Sequence, residues 1–270
     1  MTPTRALVAL TRDTPTPEGD NDVSSSLSPY MVKLRLLSHR LQHLRCDALA
    51  TSANAGLVGN ANPNFWRFAG RKSADGELHK AVGPALLAAC AALPMVDGVR
   101  CRPGCAVVTS GSFKVHATHI IHAVAPDGTY ASGLRQWWGQ RQWSGSGAAR
   151  GGQPDVYLEE AEPAGAAREQ LQATFAAVLQ GADEVGARSL GLPAIGCGVL
   201  GWRADRAAGV ALRAIAAARP SLSALERIDV ALPSDAVRAG WLHGVQEALG
   251  LPERRGHADE STGVLGEFDI

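Results

Sequence analysis

The stretch that most constrains this chain is residues 189–202, which read SLGLPAIGCGVLGW. A short apolar run over residues 190–195 has the length of a buried strand, and an alanine-rich helical pattern begins at about Arg203. Three glycines lie between the strand and the helix: Gly196, Gly198 and Gly201. Glycines let the backbone turn tightly and present its N–H groups, which can hold a phosphate without a lysine. The stretch also fits an ordinary strand-to-helix turn.

Composition narrows the class of protein. The 270 residues suit one large domain or two small ones, and 46% hydrophobic residues are enough for a buried core. Lys+Arg and Asp+Glu are each 26, so no net charge attracts nucleic acid or an anionic membrane. No apolar run reaches the roughly 18 residues of a membrane span. The five scattered cysteines favour free thiols in a reducing intracellular compartment, cytoplasmic or nuclear.

Predicted strands and helices alternate from about residue 30 to residue 250. The sequence predicts strands over residues 30–37, 47–52, 104–109, 118–124, 190–195 and 227–232. It predicts helices after Asp75 and Pro84, and over residues 164–180, 203–218 and 235–249. This alternation predicts an α/β fold, a three-layer α/β/α sandwich with a mixed, largely parallel central sheet.

Three segments fall outside this alternation. Residues 1–29 are rich in Thr, Ser and Pro and predict a disordered N-terminal tail. Their four acidic residues argue against a transit peptide, although organelle targeting stays an open alternative. Residues 127–163 contain seven glycines and three tryptophans and predict an irregular insertion in a domain that spans residues 30–250. Residues 251–270 are polar and predict a loose C-terminal tail.

Several segments resemble, in order, those of the macrodomain family. They are residues 47–54 (DALATSAN), 75–84 (DGELHKAVGP), 104–109 with 119–126, and 192–202 (LPAIGCGVLGW). The first is similar to a family strand that usually reads DAIVNAAN, and the second resembles the helix after the family's glycine-rich first loop. The next pair looks like two further strands, and the last resembles the family's second, phosphate-binding loop. The resemblance covers about residues 32–249 and implies the macrodomain fold.

The resemblance also implies a function. The family binds ADP-ribose at the C-terminal ends of the strands, and many members, the MacroD type especially, hydrolyse ADP-ribose from protein side chains or related esters. By position, Asn54 matches the asparagine that orients the distal ribose, and Asp75 matches the aspartate that aligns or activates water at the anomeric carbon. We therefore expect an ADP-ribosyl hydrolase with these two catalytic residues. The alternative function is a non-catalytic ADP-ribose reader with the same cleft residues. Separately, Asn54 also fits a turn residue at a strand end and Asp75 a helix N-cap.

The same resemblance implies the ligand contacts. Backbone N–H groups of residues 196–201 would surround the diphosphate, while Leu200 and Trp202 either contact the distal ribose or belong to the core. The predicted ligand-binding residues are Leu41, Ala53, Gly76, Val82, Gly196, Cys197, Gly198, Val199, Leu200, Gly201 and Trp202. The expected partners are ADP-ribose or ADP-ribosylated protein, with nucleic acid only as an ADP-ribosylated end. We expect no membrane partner, no cofactor, no metal and a monomeric protein.

The chain departs from the family pattern in three places. Arg40 stands where the family commonly has an aspartate that accepts from the adenine amino group, and a guanidinium cannot accept. Adenine selectivity is therefore loosened or supplied elsewhere. Thr51 replaces the family's first asparagine. The first loop is a longer segment, residues 60–74, whose cationic and aromatic residues fit either ligand contacts or a surface flap: Trp66, Arg67, Phe68, Arg71 and Lys72.

Two other sets of side chains have the chemistry of zinc ligands: His39, His43 and Cys46, and the close pair Cys101 and Cys105. Exposed histidines and buried cysteines explain both sets equally well, and we expect no metal site from them. Cys197 lies in the glycine loop and has a nucleophilic side chain. The sequence pattern pairs no general base with it, so we do not expect covalent catalysis through this thiol.

Overall fold

The computed structural model describes residues 7–8, 31–59, 73–128, 165–253, 259 and 261–270. The strands are β1 (Leu7–Val8), β2 (Lys33–Leu37), β3 (Ala48–Ser52), β4 (Ala106–Ser110), β5 (His119–Ala123), β6 (Ser189–Pro193), β7 (Arg227–Ala231) and β8 (Val264–Asp269). The α-helices are α1 (Ala74–Val82), α2 (Pro84–Ala91), α3 (Gly165–Glu184), α4 (Ala204–Ala218) and α5 (Asp235–Ala248). Short 3₁₀ turns lie at Leu41–His43 and Arg219–Ser221.

The strands form a single sheet in the order β1-β4-β5-β3-β6-β7-β2-β8. The five central strands β5, β3, β6, β7 and β2 are parallel to one another. At one end of the sheet, β4 pairs antiparallel with β5 and β1 pairs antiparallel with β4. At the other end, β8 pairs antiparallel with β2. The mixed, largely parallel sheet confirms the predicted fold class. Because parallel strands run in one direction, their C-terminal ends meet at one edge, where α/β folds hold ligands.

Helices cover both faces of the sheet and complete the sandwich. One apolar cluster contains side chains of α3, α4 and α5, and a second contains side chains of α1 and α2. The sequence of β3 shows how one strand serves both clusters, since Ala48 and Ala50 face the first while Leu49 faces the second. No helix in the described part of the chain is long and apolar enough to cross a membrane.

Helix α1 begins two residues before the position expected from the sequence. The N-cap is Ser73, whose hydroxyl accepts a hydrogen bond from the backbone N–H of Gly76 at 3.0 Å. Asp75 is therefore not the cap but the second helical residue, and it is buried. The helix ends at Gly83, whose φ of 87° suits glycine, and Pro84 opens α2 as predicted.

The C-terminal segment differs from its prediction. Residues 251–270 were expected to be a loose tail, but Val264–Asp269 form β8 and pair antiparallel with β2. Leu265 is buried, and Glu267 on the opposite face forms an ion pair with Lys33 at 2.7 Å. The sequence VLGEFD alternates in part between apolar and polar residues, and its short length and acidic residues conceal a strand pattern.

Part of the N-terminal segment also belongs to the sheet. Leu7–Val8 pair antiparallel with β4, although residues 1–29 were predicted to be disordered. An apolar pair that adds to a sheet edge needs few residues and leaves little signal in a Ser/Thr/Pro-rich sequence. The rest of this predicted tail, residues 60–72 of the first loop and residues 129–163 of the predicted insertion lie outside the described residues.

Candidate active site

The loop after β6 has a tightly turned backbone. Gly196 and Gly201 have φ angles of 87° and 70°, values that favour glycine. The backbone N–H of Gly201 donates to the carbonyl of Gly198 at 3.2 Å, and the N–H of Trp202 donates to the carbonyl of Gly196 at 3.1 Å. These two bonds close the turn directly before α4, so the loop lies at the positive end of that helix.

The same loop presents unused backbone donors at its tip. The N–H groups of Gly198, Val199 and Leu200 make no backbone hydrogen bond within the described part of the chain. Gly198 and Val199 are exposed, and a Cβ added to Gly198 would meet no atom within 4 Å. Consecutive free N–H groups beside a helix N-terminus provide the donors that an anionic group needs.

Trp202 supports this loop from the inside. Its side chain is only 4% exposed, and its indole Nε1 donates to the carbonyl of Pro126 at 2.9 Å. A Cβ on Gly196 or Gly128 would lie 2.8 or 2.7 Å from the indole ring, so both glycine backbones pack directly on it. Trp202 thus packs in the core and shapes the loop, and Leu200 is partly buried against the same cluster.

Cys197 points toward the core instead of the loop tip. Its side chain packs against the larger apolar cluster, and burial raises the pKa of the thiol to about 12. A thiol with that pKa stays protonated at neutral pH and is a poor nucleophile. The structure therefore agrees with a packing role for this residue.

Asp75, in the first turn of α1, is buried next to the C-terminal end of β3. The residue is 5% exposed, and its Oδ1 accepts a hydrogen bond from the hydroxyl of Thr51 at 3.1 Å. The imidazole Nε2 of His79, one turn along α1, lies 3.7 Å from the same oxygen. No arginine or lysine among the described residues forms an ion pair with this carboxyl. Burial raises the pKa of Asp75 to about 6, which poises the group near neutral pH.

Asn54 organises the turn that follows β3. Its Oδ1 accepts from the backbone N–H of Val58 at 3.3 Å, and its Nδ2 donates to the carbonyl of Gly59 at 3.5 Å. From outside the turn, Arg100 donates through Nη1 to the carbonyl of Gly56 at 3.0 Å. Asn54 thus holds this turn together, and it lies three positions after Thr51, whose hydroxyl donates to Asp75.

The remaining predicted residues lie around these two loops. Leu41, Ala53, Gly76 and Val82 are buried, and the side chains of Leu41 and Val82 belong to the second apolar cluster. They build the wall behind the site instead of an exposed surface. Arg40 is exposed, and its Nη1 lies 3.4 Å from Oε2 of Glu77 on α1. The residues predicted in the first loop lie outside the described residues: Trp66, Arg67, Phe68, Arg71 and Lys72.

A buried polar cluster behind Asp75 was not predicted. Polar atoms of His79, Cys90 and His122 lie within 4.8 Å of one another. The Nε2 atom of His122 lies 3.0 Å from the Thr109 hydroxyl and 3.5 Å from the Cys90 sulfur. Burial lowers the pKa of His122 to about 3 and raises that of Cys90 to about 12, so both groups are neutral. These residues come from four different elements, and no local pattern connects them.

This cluster has ligand chemistry, but its contacts are those of a hydrogen-bonded network. The thiol of Cys90 and the hydroxyl of Thr109 both lie within hydrogen-bond distance of the Nε2 atom of His122. This nitrogen therefore already has hydrogen-bond partners within the protein. The zinc sets considered from the sequence do not converge among the described residues. Cys46 is buried and its sulfur lies 3.5 Å from a carboxylate oxygen of Asp229, whereas His39 and His43 are exposed.

The fold and the site together define an α/β/α sandwich domain with a glycine-rich loop at the C-terminal edge of its sheet, directly before a helix N-terminus. The Macro domain family profile matches residues 53–135 and 159–211. A macro domain-containing protein of Vibrio parahaemolyticus is 30% identical over 199 residues, which cover 74% of this chain and 94% of that protein. The chain belongs to the macrodomain family, as its sequence motifs predict.

Other relatives agree with this assignment. An O-acetyl-ADP-ribose deacetylase of Salmonella gallinarum is 30% identical over 183 residues, covering 68% of this chain and 77% of that protein. The Oceanobacillus iheyensis macrodomain with ADP has a TM-score of 0.57 at 20% identity and covers 92% of this chain and 97% of that chain. The Trypanosoma brucei macrodomain in complex with ADP-ribose has a TM-score of 0.52 at 19% identity, with 77% and 67% covered. At such identities the structural similarity confirms the fold.

Proposed function

We propose that this protein binds ADP-ribose and hydrolyses it from modified protein side chains or from related ADP-ribose esters. The observation that carries the proposal is Asp75, a buried carboxyl that forms no ion pair with a lysine or arginine among the described residues, at the edge where macrodomain motifs converge. A carboxyl that exists only for stability would be paired with a cation or exposed to water, because burying a lone charge is costly.

The binding half of the proposal rests on the loop after β6. The free N–H groups of Gly198, Val199 and Leu200 suit the diphosphate of ADP-ribose, and they explain how a chain without net charge holds a dianion. Macrodomain structures with ADP and with ADP-ribose share the fold of this chain. The bond between Asn54 Nδ2 and Gly59 is long at 3.5 Å, so the amide can turn to a ribose hydroxyl.

The catalytic half of the proposal rests on the pKa of Asp75. A general base works best when its pKa lies near the working pH, and burial brings this carboxyl to about 6. In its ionised form the carboxylate accepts a proton from water as that water attacks the anomeric carbon of protein-linked ADP-ribose, or the acyl carbon of an ADP-ribose ester. The bond from that carbon to the leaving oxygen breaks, and free ADP-ribose is formed. The hydroxyl of Thr51 keeps the carboxylate oriented through the hydrogen bond at 3.1 Å.

One observation favours a second function, a non-catalytic reader of ADP-ribose. Asp75 is 5% exposed and its Oδ1 is occupied by Thr51, which limits the access of water to one oxygen. In that case the carboxyl would serve only to fix the start of α1 against β3. A reader retains binding without turnover, so one comparison separates the two functions.

The test is incubation of the purified chain with mono-ADP-ribosylated protein and, separately, with O-acetyl-ADP-ribose, followed by chromatography of free ADP-ribose. The hydrolase proposal predicts product formation that falls by about 10²-fold or more in Asp75→Asn, while ADP-ribose binding by calorimetry changes little. The Asn54→Ala substitution should lower both the turnover and the affinity for ADP-ribose. Binding without turnover on either substrate would support the reader, and absence of binding by folded protein would contradict both functions.

A further inference from the structure

Helix α2 and the turn that follows it form an apolar surface. Residues 84–96 read PALLAACAALPMV and contain no charged side chain. Leu86, Cys90 and Leu93 point inward and belong to the second apolar cluster, and Ala89 is half-buried. All the other side chains of this segment are exposed, and we call them the α2 face. They are Pro84, Ala85, Leu87, Ala88, Ala91, Ala92, Pro94, Met95 and Val96.

The outward sides of the longer helices differ from the α2 face. Helices α3, α4 and α5 carry charged residues at exposed positions, such as Arg213 on α4 and Glu247 on α5. The α2 face instead exposes three large apolar side chains, Leu87 at 41%, Met95 at 54% and Val96 at 58%. Contact between apolar area and water is unfavourable, and a contiguous apolar patch marks a surface that another molecule covers.

The side-chain sizes on α2 are complementary to one another. Positions three and four apart lie on one side of a helix, so Pro84, Ala88 and Ala91 form the middle of the face, with Leu87 beside them. Two copies of α2 that pack antiparallel about a two-fold axis between residues 87 and 88 place Leu87 of each copy over Ala88 of the other. A large side chain over a small one fills the space between two closely packed helices.

The charges beside the α2 face are complementary in the same arrangement. Lys80 is exposed before the start of α2, and Asp97 follows the last residue of the face with a side chain that is 74% exposed. An antiparallel pair brings Lys80 of each copy near Asp97 of the other, whereas a parallel pair brings like charges together. Asp97 also pairs with Arg102 of its own chain, and its exposed carboxylate has acceptor sites for a second cation.

The small size of the α2 face determines how tightly two copies can bind. A pair of short helices with their flanking turns buries about 1,000 Å² in total, which is the lower end of specific interfaces. Exposed ion pairs at the rim contribute little to affinity and mainly fix the orientation. We therefore expect a reversible dimer with a dissociation constant on the order of 10 µM.

We propose that the α2 face is the interface of a two-fold symmetric homodimer. The α2 helices of two copies pack antiparallel, with Leu87 over Ala88 at the centre and the ion pairs of Lys80 and Asp97 at the rim. The partner is a second copy of this chain, because the shape and the charges of the face match each other under this symmetry. An isologous contact of this kind closes at two copies. The dimer differs from the monomer expected from the sequence, and it does not rest on the proposed function.

The first experiment is sedimentation equilibrium of the full chain at concentrations up to about 500 µM. Leu87→Glu places a charge at the centre of the face and should raise the dissociation constant by about tenfold or more. Leu251→Glu is the matched control and should dimerise as the wild type does, because Leu251 is 44% exposed but lies after α5. Circular dichroism verifies that both variants are folded.

Three results of this experiment would overturn the proposal. The first is a wild type that stays monomeric over the whole concentration range. The second is an equal effect of Leu87→Glu and Leu251→Glu on the dissociation constant, which would place the interface elsewhere. The third is growth of the wild type into species larger than a dimer, because an isologous contact cannot continue beyond two copies.

The second experiment tests the antiparallel arrangement with two charge reversals. Lys80→Glu and Asp97→Lys each bring like charges together at both ends of the interface, so each variant alone should dimerise about fivefold more weakly than the wild type. When the two variants are mixed, opposite charges meet at both ends, and the heterodimer should form within about threefold of the wild-type affinity. A misfolded variant cannot produce this recovery. A mixture that associates no more tightly than either variant alone would overturn the proposal.

Discussion

Two buried aspartates in this molecule have opposite surroundings. Asp229 on β7 is 1% exposed and receives two hydrogen bonds from the guanidinium of Arg35, at 2.7 and 2.6 Å. Arg227 adds a second cation at 3.3 Å. Asp75 is 5% exposed, and its neighbours are a hydroxyl and a neutral imidazole. The charge of the Asp229 carboxylate is balanced by two arginines. The Asp75 carboxyl has no such counter-charge among the described residues and can gain or lose a proton near neutral pH.

The comparison teaches how to distinguish a structural charge from a functional one. A paired buried carboxylate links two strands, here β2 and β7, and its removal leaves an uncompensated cation. An unpaired one destabilises the fold and persists where chemistry needs it. The same substitution of aspartate by asparagine should therefore change stability in opposite directions at the two positions.

The largest expected effect is on stability at the paired position. Asp229→Asn leaves Arg35 and Arg227 without their counter-charge and should lower the free energy of unfolding by about 3 kcal/mol. Urea denaturation followed by circular dichroism measures this loss. Turnover per folded molecule should stay unchanged, since Asp229 lies within the sheet. A loss below about 1 kcal/mol would mean that the ion pair is already screened by water.

The second effect is on turnover at the unpaired position. Asp75→Asn keeps an oxygen for the Thr51 hydroxyl but removes the base, so kcat should fall by about 10²-fold or more. Steady-state release of free ADP-ribose measures kcat, and Asp229→Asn under conditions where it is folded is the control. Full activity in folded Asp75→Asn would remove this residue from the mechanism.

The third expected effect is a gain in the free energy of unfolding for Asp75→Asn, opposite in sign to the loss for Asp229→Asn. The pKa of Asp75 is raised from 3.8 in the unfolded chain to about 6 in the folded one. The folded state therefore holds its proton more tightly, and stability falls as pH rises from about 4 to about 6. Asp75→Asn should remove this loss and stabilise the protein at pH 7 by at most about 3 kcal/mol, with no gain at pH 3.5. A lower melting temperature of the variant at pH 7 would contradict the unpaired carboxyl.

The smallest effect concerns binding through the backbone of the glycine loop. Gly198→Val adds a side chain whose Cβ has no atom of the described residues within 4 Å beyond its chain neighbours, so the fold should persist while ADP-ribose affinity falls by about tenfold or more. Gly196→Val is the contrasting variant, because its φ of 87° and the Trp202 ring at 2.8 Å predict a lower melting temperature. Unaltered affinity in Gly198→Val would show that the ligand does not approach this loop.

The sequence was sufficient for those features that reside in local patterns. The order of strands and helices and the glycine loop follow from periodicity and short motifs, whereas the roles expected of Asn54 and Asp75 come from the resemblance to macrodomain motifs and stay predictions. The polar cluster of His79, Cys90, Thr109 and His122 did not follow from such patterns, because only the sheet brings those elements together. Strand β8 was missed because its acidic residues mask an alternation of six residues, and the cap of α1 was misplaced because Ser73 and Asp75 are both good caps.

The most direct test of the account is the pH dependence of kcat/KM for release of ADP-ribose by the wild-type chain between pH 5 and 8. If Asp75 acts as the base in the free enzyme, kcat/KM rises about tenfold per pH unit below its pKa of about 6 and is level above it. The residual activity of Asp75→Asn should show no such limb. A profile that is flat from pH 5 to 7 in the wild type, or an identical limb in Asp75→Asn, would contradict the assignment of this buried, unpaired carboxyl as the catalytic base.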